Sequence, residues 1–372
     1  MRVVLDIRYR TRSGAASYID NIVPGLTQSP SRHEFVLLRW HGQQVPPHTN
    51  CESIEVPNVS PAVQAVHDQV LLPRLLRRLG ADVYHPLKHL GTMYPPCLQV
   101  TTAHSITLPF RGHFPISRGE GFYWKVMGTR MFQSSAAVIA VSEFVRDFLT
   151  EVIRVKTDRI AVIHHGVDPR FRRFDPGAEA SLSRDALYLL TVGNIFPVKN
   201  FEVAIHVLAG LSKEYPQLKL KMAGSTGHPH FRRIEEIASI AGVADRIEFL
   251  GFTPPDRLVT LMNEAQVLLI PSLTEGFALT LLEAMACGTP VVASARGAIP
   301  EVGADAVRLV EDPSDVTAWI DATAELLRSD LERQRLSARA LLRASHFSWA
   351  NAVQRTLSVY DSLRQAGRPG KL

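Results

Sequence analysis

Cysteine is scarce: Cys51, Cys97 and Cys287 are the three in 372 residues, and none stands in a C-x-x-C pair. That spacing gives neither a disulfide framework nor a zinc site, and it fits a reducing cytoplasm. No uncharged apolar run reaches about 18 residues, the length that crosses a bilayer as a helix. No strand-like run is followed by G-x-G-x-x-G, so the usual sign of a nicotinamide dehydrogenase is missing. Low-complexity segments are missing as well. The chain opens on strand-like Val3-Val4-Leu5-Asp6-Ile7 and not on a basic, apolar leader, which predicts a cytoplasmic protein. An acidic excess is also lacking: 41 Lys and Arg against 36 Asp and Glu leave a formal net charge of +5. So mild a basic balance suits anionic substrates, anionic lipid or nucleic acid alike.

What is present is length and alternation. At 372 residues, with 46% hydrophobic and 21% charged, the chain exceeds one typical core and suits two. Short apolar runs bounded by Pro, Gly or polar clusters alternate with helical spacing, which predicts α/β domains built on parallel sheets. The most informative stretch is 267–293. Val267 to Ile270 reads as a buried strand ended by Pro271, residues 272–276 as a turn, 277–287 as a helix, Gly288 as its stop and 290–293 as the next strand. That is a βαβ unit. Gly276 lets a ligand approach the backbone, and the amides of Phe277, Ala278 and Leu279 are expected to point outward at the helix start, where an anion is favoured. Glu283 is the only charge between Gly276 and Arg296. In a helix of Leu, Ala, Met and Phe such a charge is costly without a partner, and ligand hydroxyls would supply one. Taken singly, Glu275 also fits a turn acid and Glu283 a solvated helix residue.

With Glu275-Gly276-Phe277-Ala278-Leu279 and Glu283 on the page, the chain resembles the retaining glycosyltransferases of family 4 and their E-x7-E motif. The resemblance implies the GT-B architecture, two Rossmann-like domains facing across a cleft. The expected division is an acceptor domain over 1–168, a linker over 169–184, a nucleotide-sugar domain over 185–346, and a C-terminal helix over 347–372 that packs back on the first domain. Val192 to Asn200 resembles the family's G-R-x-x-x-x-K, with Gly193 and Lys199 kept and Asn194 in place of the usual Arg. His164-His165-Gly166-Val167-Asp168 resembles its P-N-G-V-D turn, and Thr102-Ala103-His104-Ser105 its T-x-H-D site with Ser for Asp.

From the resemblance follow the roles. Glu283 would hold the ribose, Glu275 the donor sugar, and His104 would close over that sugar from the other domain. Lys199 would neutralise the leaving diphosphate together with the amides after Gly276, and Gly14 would lie against the diphosphate or the acceptor. No metal and no separate cofactor are expected. The partners expected are a nucleotide-sugar donor, with a slight lean to GDP-mannose over UDP-glucose or UDP-N-acetylglucosamine, and a glycan or lipid-linked acceptor of cell-surface polysaccharide synthesis; nucleic acid is not among them. A sugar-nucleotide epimerase and a non-catalytic sugar-binding module are the alternatives.

Four readings come from the residues themselves. Lys199 at a helix start opposes the macrodipole unless an anion intervenes. The loop Arg12-Ser13-Gly14, with Arg8 and Arg10 nearby, suits a phosphate or a sugar held by backbone amides, as well as a plain turn. Phe122, Tyr123, Trp124, Lys125 and Arg130 over 119–132 suit peripheral contact with an anionic membrane, as well as plain packing. His228-Pro229-His230 is spaced as a metal pair but has no third ligand near it in the sequence and reads as a solvated loop, and the adjacent His164-His165 cannot chelate by helical spacing.

Overall fold

The computed structural model describes residues 1–9, 14–88, 91–104, 127–174 and 187–365. It divides into two compact units, Met1–Gly166 together with the chain from Ser348 on, and Val167–Phe347.

Among the described residues the first unit carries a seven-stranded parallel sheet in the order β3-β2-β1-β4-β5-β6-β7. Its strands are β1 (Arg2–Asp6), β2 (Glu34–Trp40), β3 (Glu52–Val56), β4 (Val83–Pro86), β5 (Leu98–Ala103), β6 (Ala137–Ala140) and β7 (Ile160–Val162). Helices α1 (Gly14–Gln28), α2 (Pro61–Arg78), α3 (Thr129–Ser134) and α4 (Glu143–Glu151) lie between them. Central strands read as continuous apolar runs because helices cover both faces of a parallel sheet; Val3, Val4 and Leu5 are fully buried. Ser142 caps α4 by accepting from the Val145 amide at 3.1 Å, as its residue type predicts. The helix Trp349–Gln365 completes this unit by packing on α1. Gly25 marks the contact, since a Cβ there would lie 2.4 Å from Cγ2 of Val353. Tyr360 anchors the helix from below: its hydroxyl meets Nδ1 of buried His85 at 2.5 Å, while Nε2 of His85 faces the Thr102 hydroxyl at 2.8 Å.

Among the described residues the second unit holds a six-stranded parallel sheet in the order β10-β9-β8-β11-β12-β13. The strands are β8 (Tyr188–Val192), β9 (Lys219–Ala223), β10 (Ile247–Gly251), β11 (Val267–Ile270), β12 (Val291–Ser294) and β13 (Arg308–Val310). Helices α5 (Glu202–Leu211), α6 (His230–Ile240), α7 (Pro255–Glu264), α8 (Leu279–Ala286), α9 (Ile299–Gly303), α10 (Val316–Arg328) and α11 (Asp330–Ala344) surround it, which makes the terminal helix α12. Both sheets reverse their strand order once, beside the first strand of each. At such a switch point the loops leaving the carboxyl ends of adjacent strands part and leave room for a ligand. In the second unit that point lies between β8 and β11.

The structure departs from the sequence reading in several places. Residues 169–174 are no free linker: the Phe174 amide donates to Oδ1 of Asn263 at 2.8 Å, and Nδ2 of Asn263 donates to the Arg172 carbonyl at 3.0 Å. Gly14 is the first residue of α1 and not part of a loop before it. Arg8 is fully buried and bound by Asp6 at 2.6 Å and Asp68 at 2.9 Å, so no phosphate can take it. Arg10, Ser105, most of the aromatic segment 119–132 and the linker residues 175–184 lie outside the described residues.

Candidate active site

The site is built where β8 and β11 part. Beyond β8 the chain turns through Gly193 and Asn194 into a short 3-10 turn, Pro197–Lys199. Beyond β11 it runs through Pro271 and Ser272 to Glu275. The two loops are tied together, since the Leu273 amide donates to the Val198 carbonyl at 2.8 Å. Across this tie Nζ of Lys199 donates to Oε1 of Glu275 at 2.6 Å, with both side chains part-buried. The Ser272 hydroxyl donates to the same oxygen at 2.7 Å. One carboxylate oxygen of Glu275 is therefore held by two donors.

Close backbone approaches fix the geometry. Gly297 (φ +62°) lies against Glu275: a Cβ would stand 2.3 Å from the Glu275 carbonyl oxygen and 2.5 Å from its nitrogen. The Ala298 amide donates to that same carbonyl at 2.9 Å. Gly224 (φ +157°) sits so close to Gly193 that a Cβ would come within 1.8 Å of its carbonyl oxygen. Only glycine fits at either position. Neither was singled out from the sequence, although Gly224 ends a strand-like run and Gly297 follows one. Gly193 (φ +145°) would place a Cβ 3.5 Å from Cε of Lys199, and Oδ1 of Asn194 accepts from the Ser225 amide at 3.3 Å.

The turn after Glu275 differs from the expected one. Helix α8 begins at Leu279, not at 277, and Ala278 precedes it in the left-handed conformation with φ +62°. Phe277 is buried and packs edge-on against Phe347, with ring centroids 5.9 Å apart. The first-turn donors are thus the amides of Leu279 and Thr280, for which no acceptor stands among the described residues. Those of Phe277 and Ala278 belong to the turn before. The late start also puts Glu283 one helical turn inside α8, not two. Its part-buried side chain has no hydrogen bond or ion pair among the described residues. Burial, and secondly the nearby Asp168 carboxylate, push the Glu283 carboxyl up to about 8, with Arg170 opposing. Asp168 itself is held by Arg170 at 2.6 Å.

The macrodipole argument for Lys199 also fails. Helix α5 starts at Glu202, an acid in its first turn, and Lys199 lies before it with Glu275 as its counter-ion. Its anionic partner is a side chain 76 residues away.

In the first unit His104 follows β5. Its Nε2–H donates to the Leu87 carbonyl at 2.6 Å, which leaves Nδ1 as an acceptor. Burial holds its pKa down to about 4. Around it pack Tyr18, edge-on at 4.7 Å, and His165 at 5.4 Å, and His165 stacks on Trp349 at 5.5 Å. The structure thus brings Gly193, Asn194, Lys199 and Glu275 together in the second unit with the turn Gly276 to Leu279 and Glu283 in line. His104 and Gly14 belong to the first unit. Among the described residues no group of three His, Cys, Asp or Glu side chains could hold a metal ion, and no helix is long and apolar enough to cross a membrane.

Comparison with known proteins points one way. The sequence model of the glycosyl transferases group 1 matches residues 178–343, and that of glycosyltransferase family 4 matches residues 12–171. A D-inositol 3-phosphate glycosyltransferase of Corynebacterium efficiens is 33% identical over 225 residues, which is 56% of this chain and 52% of the relative. A protein of the same name from Frankia alni is 33% identical over 274 residues, 70% of this chain and 67% of the relative. The chain therefore spans about half the length of the first relative and two thirds of the second. Sucrose-phosphate synthase from Thermosynechococcus elongatus superposes with a TM-score of 0.79 at 19% identity, over 98% of this chain and 100% of that one. At that identity the likeness is one of fold.

Proposed function

Since the chain belongs to glycosyltransferase family 4, the group 1 glycosyl transferases, and has the family's two Rossmann-like units, we propose that it transfers a hexosyl group. The donor would be a nucleoside diphosphate sugar seated between the loops of β8 and β11, and the anomeric configuration would be retained. The observation that carries this reading is the Lys199–Glu275 pair, which joins the β8 loop to the β11 loop that leads into α8. A cation and free amides at one corner stabilise the charge that grows on a diphosphate as its bond to the sugar breaks. Preorganised before the substrate arrives, they need little rearrangement. Oε1 of Glu275 is occupied by Lys199 and Ser272, so Oε2 is the oxygen for a sugar hydroxyl. Glu283 has no hydrogen bond or ion pair among the described residues where ribose hydroxyls would provide one, which supports its role as the ribose grip. His104, neutral and with Nδ1 accepting, suits a hydroxyl of the transferred sugar.

Family resemblance favours a glycan or lipid-linked acceptor. A second reading rests on the relatives, both named D-inositol 3-phosphate glycosyltransferase: a phosphorylated polyol would then be the acceptor. GDP-mannose is the first donor to try, ahead of UDP-glucose and UDP-N-acetylglucosamine. Thermal unfolding with GDP and with UDP tests the donor site, because a ligand 100-fold above its Kd stabilises the folded state by about 2.7 kcal/mol. One nucleotide is expected to raise Tm, and its sugar conjugate to release that nucleotide slowly in water and faster with acceptor. No rise with either nucleotide overturns the reading. Isomerised sugar nucleotide without transfer would point to an epimerase.

A further inference from the structure

A chain of buried hydroxyl and imidazole groups runs through the first unit from its last helix to the neighbourhood of His104. It starts at Tyr360 in α12, whose hydroxyl meets Nδ1 of His85 at 2.5 Å. Nε2 of His85 meets the Thr102 hydroxyl at 2.8 Å, and that hydroxyl lies 3.4 Å from the one on Tyr18 in α1. All four side chains are buried. The Tyr18 ring then stands edge-on to His104, with centroids 4.7 Å apart. Packing alone would be served by apolar side chains, and polar ones are costly to bury unless each finds its bond.

The chain lies where side chains take over from the main chain in joining two strands. β4 pairs with β5 through Val83–Leu98 and Tyr84–Gln99. Beyond those pairs come His85 to Thr102, and then Nε2–H of His104 to the Leu87 carbonyl at 2.6 Å. His104 stands two residues past Thr102, and its acceptor Leu87 two residues past His85. Burial holds the His85 pKa down to about 3 and pushes that of Tyr18 up to about 12, so both stay neutral. A neutral imidazole donates from one nitrogen and accepts at the other. The direction of the Tyr360 bond to Nδ1 therefore sets what Nε2 does to Thr102, and what Thr102 does to Tyr18.

We infer that Tyr360 is a positioning residue for His104, a role that rests on the reading of His104 as a contact of the transferred sugar. The Tyr360 hydroxyl holds the His85 ring in one tautomer and one plane. His85 in turn holds the ends of β4 and β5 together, and His104 is kept with Nε2 on Leu87 and Nδ1 ready to accept. Hydrogen-bonded neighbours of this kind keep a functional side chain within about 0.5 Å of its working place.

Nitrogen NMR of the histidine rings in the full chain tests this, with His104→Gln to identify the His104 signals and donor consumption measured alongside. The unaltered protein should show His104 in a single tautomer, protonated at Nε2. Tyr360→Phe removes only the hydroxyl and Thr102→Val only the next link. Each should mix the His104 tautomers and lower kcat about tenfold at an unchanged donor KM. Thr356→Val removes another buried hydroxyl of α12, one bonded to the Ala352 carbonyl at 2.8 Å, and should lower Tm without moving the His104 signals. An unaltered protein whose His104 already exchanges between tautomers overturns the inference. So do His104 signals that stay put in both Tyr360→Phe and Thr102→Val, or that Thr356→Val moves as far. If the unaltered protein consumes no sugar nucleotide, the proposed function fails, and the His104 signals still decide whether Tyr360 positions that ring.

Discussion

Glu283 is the residue through which pH should act. Its ordinary carboxyl value is 4.5 and burial raises it to about 8. An acid whose value is higher folded than unfolded binds its proton more tightly when folded, so folding is opposed once the unfolded chain ionises. The contribution is intact below 4.5 and is lost progressively as pH rises toward 8. Ligand-free protein should therefore lose Tm across that window, and Glu283→Gln, which cannot ionise, should lose less of it. Nucleotide should show the opposite trend in binding: ribose hydroxyls donate to the ionised form, so affinity measured by calorimetry should rise from pH 6 to 8. Glu283→Gln should flatten that rise. Lys199 gives a second prediction at this scale. Lys199→Ala removes the cation that meets the leaving diphosphate and strips Glu275 of its 2.6 Å partner. Losing one such electrostatic donor costs roughly 100-fold in turnover, which donor consumption under saturating substrate would read directly.

At the scale of elements, the turn into α8 stores strain. Ala278 sits at φ +62°, where a Cβ costs about 1 kcal/mol that glycine does not incur. Ala278→Gly is expected to raise thermal stability of the ligand-free protein, less what glycine adds to the freedom of the unfolded chain. A lower Tm would show that the methyl group, which is buried, packs better than its conformation suggests. The same turn shows what a sequence can reveal. Strand β11, the turn, the helix and β12 were legible because apolar runs, Pro271 and Gly288 mark them locally. The αL residue was not, because alanine gives no sign of it, and the helix start was misplaced by two residues. Lys199 is paired with Glu275, 76 residues away, and Arg8, besides its local partner Asp6, with Asp68, 60 residues away; periodicity carries no information on pairings that only the fold creates. Residues 172 and 174 are held likewise by Asn263, 91 and 89 residues on, whereas the Ser142 cap is a contact three residues long.

At the scale of the molecule the two units are unequal as pieces of chain. The second is continuous, from Val167 to Phe347, and the first needs α12 as well as its own seven strands. Residues 167–347 expressed alone should fold cooperatively and keep nucleotide affinity, as circular dichroism and calorimetry would show. A chain ended at Phe347 should lose the unit that α12 completes, because it uncovers the α1 surface around Gly25 and leaves His85 without the Tyr360 hydroxyl, a buried polar loss of about 1–3 kcal/mol by itself. Limited proteolysis of that truncated chain should spare the second unit. The same placement of α12 sets an order of maturation on the ribosome. The half made first must wait for α12 to emerge, and the half made second can close before it. Nascent first unit therefore stands exposed until α12 is made, which makes it the portion most in need of a chaperone's cover.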